Sequence, residues 1–408
     1  MIINMIELMH LIKKRQADKI YIGQPFGSAI KYKRKELGLT LEEASEDICS
    51  ISYLSKVENS AISASEEFVE KFKDRFELED AFDYDLESYR KHLDQVIDGL
   101  IHDREIDESC VTYYENRVDY QSIIITFAYY MLRKDFTTGY KYYQQVLSMI
   151  SSMPQESFII SMLLTNYIFY HYMNYIDGMR ITALLESQKP YSSHIELLIN
   201  KWKLMYAFKL RNHHIICRVY KKYENELIKK HLFDQLRSIN FQKLVYDAKC
   251  CTPEDIKENV SRISNMHAHE KAFILSTCHY HKGNYDQALK LATKYHQLSY
   301  EWGVLHLLIL DKMEEVKLIK IALKQETDIK TPLFEIIKRH LSFKYLKSQH
   351  EIVNYIKNDI LTRKTYTDDH DVLTYLMKDC EKILSGFQYY KDAVYIYRFF
   401  NIQLNQKL

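Results

Sequence analysis

The side chains that could carry chemistry gather in two stretches. Residues 46–60, EDICSISYLSKVENS, bring together hydroxyls, a phenol and an ammonium group with no glycine or proline between them. Those are hydrogen-bonding groups suited to recognition, not to covalent chemistry. Residues 266–283, MHAHEKAFILSTCHYHKG, hold His267, His269, His279, His281 and Cys278. Two residues apart on a helix point to different faces, and zinc needs three or four converging ligands, so no metal site is expected there. No G-x-S-x-G, P-loop or dinucleotide fingerprint occurs, so neither an enzyme nor a cofactor is expected. The acid pairs Glu42-Glu43 and Glu66-Glu67 read as solvated helix faces, and Cys49 as a small core residue.

The elements that position these groups are helical. Nine glycines and five prolines in 408 residues leave little punctuation for sheet turns. Hydrophobic residues make up 47% of the chain, enough for a sizeable core, and 34 tyrosines suit half-buried helix packing. A net charge of +1 announces no global attraction to nucleic acid. Seven cysteines without a C-x-x-C, Cys250 and Cys251 being adjacent, suggest reduced thiols in the cytoplasm. The first residues place their charges after the apolar part, the reverse of a secretory signal, and no apolar run is long enough for a membrane span.

Four regions follow. Residues 1–25 form an N-terminal extension; 26–76 a compact block of five short helical patterns; 77–87 a linker carrying six acids and no base; and 88–408 helix after helix. In residues 272–295, AFILSTCHYHKGNYDQALKLATKY, Gly283, Tyr285, Ala288 and Ala292 stand at the turn, aromatic and small positions of a helical hairpin. This stretch resembles a tetratricopeptide (TPR) repeat. Weaker echoes carry small residues at Gly139, Gly178 and Ala393, and the spacings fit units of about 34–40 residues. Intermediate units should centre near Cys217, Ile256, Leu318 and Val353. About eight degenerate repeats would build an α-solenoid with a concave face.

In GLTLEEASEDICSISYLSKVENS, Gly38 can end one helix in the left-handed conformation. Thr40 and Glu43 form a capping box for a second helix running to about Ile48. Ser50 can cap a third, Ile51 to Asn59, with Leu54 and Val57 inward and Ser52, Tyr53, Ser55 and Lys56 outward or flanking. Two short helices across a tight turn describe a helix-turn-helix.

Residues 26–76 resemble the phage-repressor (Xre/Cro) helix-turn-helix. The form I-C-S-x-S-Y-L-S-K-V-E is more closely similar to the Rgg, PlcR and NprR regulators (the RNPP family), which join this domain to TPR-like repeats that bind a short signalling peptide. The resemblance implies an internal salt bridge between Arg34 and Glu58. It implies base-edge contacts from Ser50, Ile51, Ser52 and Lys56, where lysine can donate to guanine and Ile51 can meet a thymine methyl. Tyr53 and Ser55 would touch phosphate or a neighbouring helix, and Lys31 and Lys33 belong to a basic cluster on the first helix. Two departures stand out. Ser60 replaces the glycine usual after E-N, so a different cap is expected. Residues 26–76 hold eight Lys/Arg against ten Asp/Glu, which favours a homodimer on a palindromic operator of double-stranded DNA.

For the repeats, the resemblance implies amides gripping a peptide backbone, for which Asn166, Asn200 and Asn240 stand about one repeat apart. Tyr167, Tyr170, Trp202, Tyr206, Phe273 and Tyr280 are the aromatic candidates, although aromatics at this spacing also build core. The expected protein is a cytoplasmic, peptide-responsive transcription regulator with no membrane partner. The rival is a TPR protein-interaction module, or a constitutive repressor with no peptide ligand.

Overall fold

The computed structural model describes residues 8–12, 25–78, 86–114, 117–188, 191–263, 265–325, 331–362 and 367–405. Among them the chain is all-α, without a strand. Contacts divide it into two compact units, Met1–Ile168 with Arg180–Ile199, and Phe169–Met179 with Asn200–Leu408.

The first unit contains the head: α1 (Pro25–Glu36), α2 (Leu41–Ser45), α3 (Ile51–Glu58) and α4 (Glu66–Phe76). These are four helices, against five short patterns in the sequence. Of the N-terminal extension, residues 8–12 are helical and bury Leu8 and Ile12. Lys13, Lys14, Arg15 and Lys19 lie outside the described residues, as does most of the acidic 77–87 stretch.

Local signals set the head's boundaries. Gly38 sits at φ 70°, and the Leu39 amide bonds back to Arg34 across the end of α1. The capping box is complete: Thr40 Oγ1 accepts from the Glu43 amide at 3.2 Å, and the Thr40 amide donates to Glu43 Oε2 at 2.6 Å. Helix α2 stops at Ser45, short of Ile48. The amides of Ile48 and Cys49 fold back onto the Ser45 carbonyl around Asp47 at φ 60°. Phe26, Ile30, Ala44, Leu54, Val57, Phe72 and Phe76 close the core, each large side chain contributing roughly 1.5–3 kcal/mol of burial. Helices α1 and α3 cross so closely at Gly27 that a Cβ there would lie 2.0 Å from the Val57 carbonyl oxygen.

Beyond α3 the structure corrects one expectation. Ser60 takes the glycine conformation itself, at φ 55°. Its amide bonds Val57 O and the Ala61 amide bonds Lys56 O, both at 2.9 Å, which is a Schellman cap. The strain of a left-handed serine is offset because its hydroxyl has a partner. Ser60 is 1% exposed, and its Oγ donates to the Ser152 carbonyl.

That partner lies beyond the head but within the same unit, after α5 (Leu86–His102), α6 (Glu108–Thr112), α7 (Tyr120–Leu132) and α8 (Phe136–Met149), in a buried 3-10 turn, Ile150–Ser152. Ser152 Oγ donates to the Glu58 carbonyl at 2.5 Å, the Tyr120 amide donates to Ser28 Oγ at 3.0 Å, and Gln145 donates to the Tyr32 hydroxyl at 3.1 Å. The head is therefore packed on α7, α8 and the 3-10 turn, and the division into compact units does not fall at the acidic stretch.

In chain order, α7 and α8 open a series of eight helix pairs among the described residues. The others are α9 (Gln155–His171) with α10 (Tyr175–Glu186), α11 (Ser193–Leu210) with α12 (His213–Lys229), and α13 (Phe233–Asp247) with α14 (Pro253–Ser261). Next come α15 (Ala268–His281) with α16 (Tyr285–Tyr295) and α17 (Tyr300–Lys312) with α18 (Val316–Lys324). The last are α19 (Pro332–Leu346) with α20 (Gln349–Tyr355), and α21 (His370–Gly386) with α22 (Tyr390–Asn405).

Six of the pairs share one turn. Its left-handed residue is Lys134, Met173, Arg211, Gly283, Glu314 or Gln388. The next amide bonds five residues back, as from Asn212 to Ala207 and from Asn284 to His279. Four residues after each second-helix cap comes a buried position: Gly139, Gly178, Ile216, Ile256, Ala288, Ile319, Ile352 and Ala393. Three of the intermediate centres thus move by one residue, to Ile216, Ile319 and Ile352, because the cap fixes which side chain turns inward.

Candidate functional site

Helix α3 presents a strip to solvent. Ser50, Ile51, Ser52 and Lys56 are exposed, Tyr53 and Ser55 half-buried, and Leu54, Val57 and Glu58 buried. Ser50 Oγ accepts from the Tyr53 amide at 3.2 Å, so this serine caps the helix it begins. Ile51 is 46% exposed, which leaves its side chain open to an apolar partner. Lys56 makes no ion pair among the described residues.

Behind the strip, α3 is locked to α1. Arg34 Nε donates to Glu58 Oε1 at 2.6 Å and Nη2 to Oε2 at 2.8 Å, while Nη1 donates to the Leu39 carbonyl at 2.9 Å. The Glu58 hydrogen bonds raise the Arg34 guanidinium's already high pKa, against its burial. With three of its five N–H donors engaged inward, Arg34 holds the helix in place. Arg75 is used likewise, donating to the carbonyls of Glu43 and Glu46 at 2.6 and 2.8 Å.

Two of the expected contact residues have partners within the protein, Tyr53 on the neighbouring helix as one of its two expected roles. Lys31 is 8% exposed, and its ammonium donates to Asn59 Oδ1 at 2.8 Å and to Ser151 Oγ. It belongs to the docking of the head, because α1 turns this face toward the 3-10 turn. Tyr53 packs on Phe68, with ring centroids 4.8 Å apart and the planes tilted by 48°, and its hydroxyl accepts from the Ser65 amide at 3.0 Å. It braces α3 against α4. Lys33 stays at the surface, paired with Glu36 at 2.8 Å. Ser151 and Ser152 went unnoticed in the sequence, since isolated serines after a helix carry no signal of their partner.

The second unit contains a cavity of about 470 Å³. Its lining comes from the ends or inner faces of α9, α11, α13, α15, α17, α19 and α21, the first helices of seven successive pairs, with Tyr285 of α16. Tyr170, Phe273 and Tyr280 line it. The other candidates do not. Trp202 and Tyr206 are 5% and 0% exposed core residues, stacked on each other and clustered with Tyr170, and Tyr206 packs on Gly178. Asn166 is buried in the first unit and donates to Met162 O of its own helix; Tyr167, in the same unit, donates to Asp103 at 3.1 Å. Asn240 accepts from the Tyr220 hydroxyl, and Asn200 is half-buried away from the lining. The cost of leaving a buried amide unpaired explains why Asn166 bonds within its own helix.

Charge concentrates on one wall of the cavity. Arg211 Nη2 pairs with Asp371 Oδ1 at 2.6 Å, Lys249 pairs with the other oxygen, and Lys209 approaches Asp369 at 3.5 Å. Burial alone would raise the Asp371 pKa, but Lys249, His370 and Arg211 hold it far below the usual carboxylate range. Spacing could have found Arg211, at the left-handed turn before Asn212, but nothing local signals Asp371.

Residues 30–79 match the Helix-turn-helix family model. No curated protein and no solved structure matches the chain. The match falls on the head whose geometry is given above and supports a sequence-specific DNA-binding regulator. Among the described residues no helix is long and apolar enough to cross a membrane.

Proposed function

We propose that the chain is a transcription regulator of the peptide-responsive type, acting as a homodimer on a palindromic operator. The observation that carries the DNA part is the exposed strip of Ser50, Ile51, Ser52 and Lys56 on a helix whose inner face is pinned by Arg34 and Glu58. Serine and lysine can hydrogen-bond base edges, and Ile51 offers a methyl-sized contact for thymine. With Lys31 withdrawn and Lys33 paired, one head supplies few cations, so two half-sites are needed for useful affinity.

The helix pairs are proposed to bind a short linear peptide. The cavity supports this reading, having an aromatic and apolar floor and polar groups at one wall. Within the first unit, Ser152 holds both sides of the α3 cap, and coupling to a peptide would require a ligand with different affinity for two arrangements of the head. The test is a footprint on the intergenic DNA beside the gene, with and without peptides encoded nearby. Protection of a two-fold symmetric site that changes with peptide supports the proposal. Protection that ignores every such peptide favours a constitutive repressor, and no protection favours a protein-interaction module.

A further inference from the structure

The cavity of the second unit has more cationic capacity than its own carboxylates use. Lys209, Arg211, Lys249, Lys312 and Lys378 line it, against Glu301, Asp369 and Asp371. Two cations converge on the single carboxylate of Asp371. Lys312 and Lys378 are exposed at the same cavity, Lys312 lying 5.9 Å from the Tyr375 ring centroid. Arg211 Nε and Thr277 Oγ1 are both buried without a hydrogen-bond partner. Unsatisfied buried donors cost stability and call for an acceptor. An arginine already gripping one carboxylate, with a further N–H free, fits a second carboxylate well. The aromatic floor of Tyr170, Phe273, Tyr280 and Tyr300 would take the apolar part of the same ligand.

We infer that the cavity binds its ligand through a carboxylate, held by Arg211 Nε and the Thr277 hydroxyl with Lys249 beside it, and that the ligand is a short peptide carrying that group at its C-terminus or on an acidic side chain. This rests on the peptide-sensing reading above and narrows it to anionic peptides.

The test uses the full-length protein and two synthetic heptapeptide pools of equal complexity. One has free C-termini and contains Asp and Glu; the other is C-terminally amidated, with Asn and Gln in their place. Retention is read by native mass spectrometry. The acidic pool should be retained on the order of tenfold better, the worth of one charged hydrogen bond. Arg211→Gln and Lys249→Gln, each checked for an unchanged melting profile, should remove that preference. Should one variant fail to fold, the other decides. Equal retention of both pools overturns the carboxylate anchor and leaves peptide sensing standing. Retention of neither, with citrate or succinate alone stabilising the protein, overturns the peptide as its bearer. Retention of neither, with no response to those acids, overturns both inferences.

Discussion

The hydroxyl of Ser60 donates to the main-chain carbonyl of Ser152 at 3.0 Å, while Ser152 Oγ returns a bond to the Glu58 carbonyl. The pair ties the end of the recognition helix to the 3-10 turn after α8. It also decides the fate of a serine at φ 55°. Ser60→Gly relieves roughly 1 kcal/mol of left-handed strain and loses a hydrogen bond of similar worth, so its effect should be near zero. Ser60→Ala keeps the strain and strands the same buried carbonyl, and should cost about 1 kcal/mol. Urea unfolding of both variants against wild type checks this; a Ser60→Ala variant as stable as wild type would mean that the bond contributes nothing.

Gly27 is the second sensitive point of the head. A methyl group there meets the Val57 carbonyl oxygen at 2.0 Å, and backbone cannot move aside as a flexible side chain can. Gly27→Ala should therefore cost about 3 kcal/mol or separate α1 from α3. Amide hydrogen exchange across α3 would rise in this variant. Unchanged protection there would show that the crossing is looser than described.

Arg34 and Glu58 form a largely shielded pair, with side chains 12% and 3% exposed. Removing one partner leaves the other charge desolvated, so Glu58→Gln should destabilise by about 3 kcal/mol. Replacing both, as Arg34→Met with Glu58→Leu, should recover most of that, because an apolar pair can take the place of a buried ion pair. A double-mutant cycle by chemical denaturation checks both figures together.

Acid should weaken the second unit in a defined window. Burial pushes the imidazoles of His171 and His306 down to about 4, with His296 adding to the effect at His306. Both are neutral in the fold, while in the unfolded chain they titrate near 6.5. Their contribution is thus complete above about pH 6.5 and is lost as pH falls toward 4, since the unfolded state binds the extra protons. His306→Gln should flatten the fall in melting temperature across that window. A profile parallel to wild type would assign the acid sensitivity elsewhere.

Much of this was legible in the residues. The capping box of Thr40 and Glu43, the left-handed Gly38 and the inward Leu54 and Val57 are local matters, set within a few residues by backbone hydrogen bonding and helical period. The helix pairs were legible too, to within one residue, because a capped second helix fixes its inward position. What sequence could not supply was long-range pairing. Lys31 has the composition of a phosphate contact and became a docking residue through Ser151, which stands 120 positions away. Ser60 kept a glycine's conformation through a partner 92 positions away. Asn166 had the spacing of a ligand amide, but it is buried and donates to Met162 O of its own helix.

Whether the outer strip of α3 reads DNA can be measured directly. Fluorescence anisotropy on labelled DNA from the adjacent promoter, over a range of salt, measures this for Ser52→Ala, Lys56→Ala and Lys31→Ala against wild type. The two strip variants should each lose about 1–3 kcal/mol of preference for the promoter sequence over random DNA with their melting unchanged. Lys31→Ala should lose stability of the head and keep that preference. Full sequence preference in both strip variants would contradict the assignment of α3 as the reading helix.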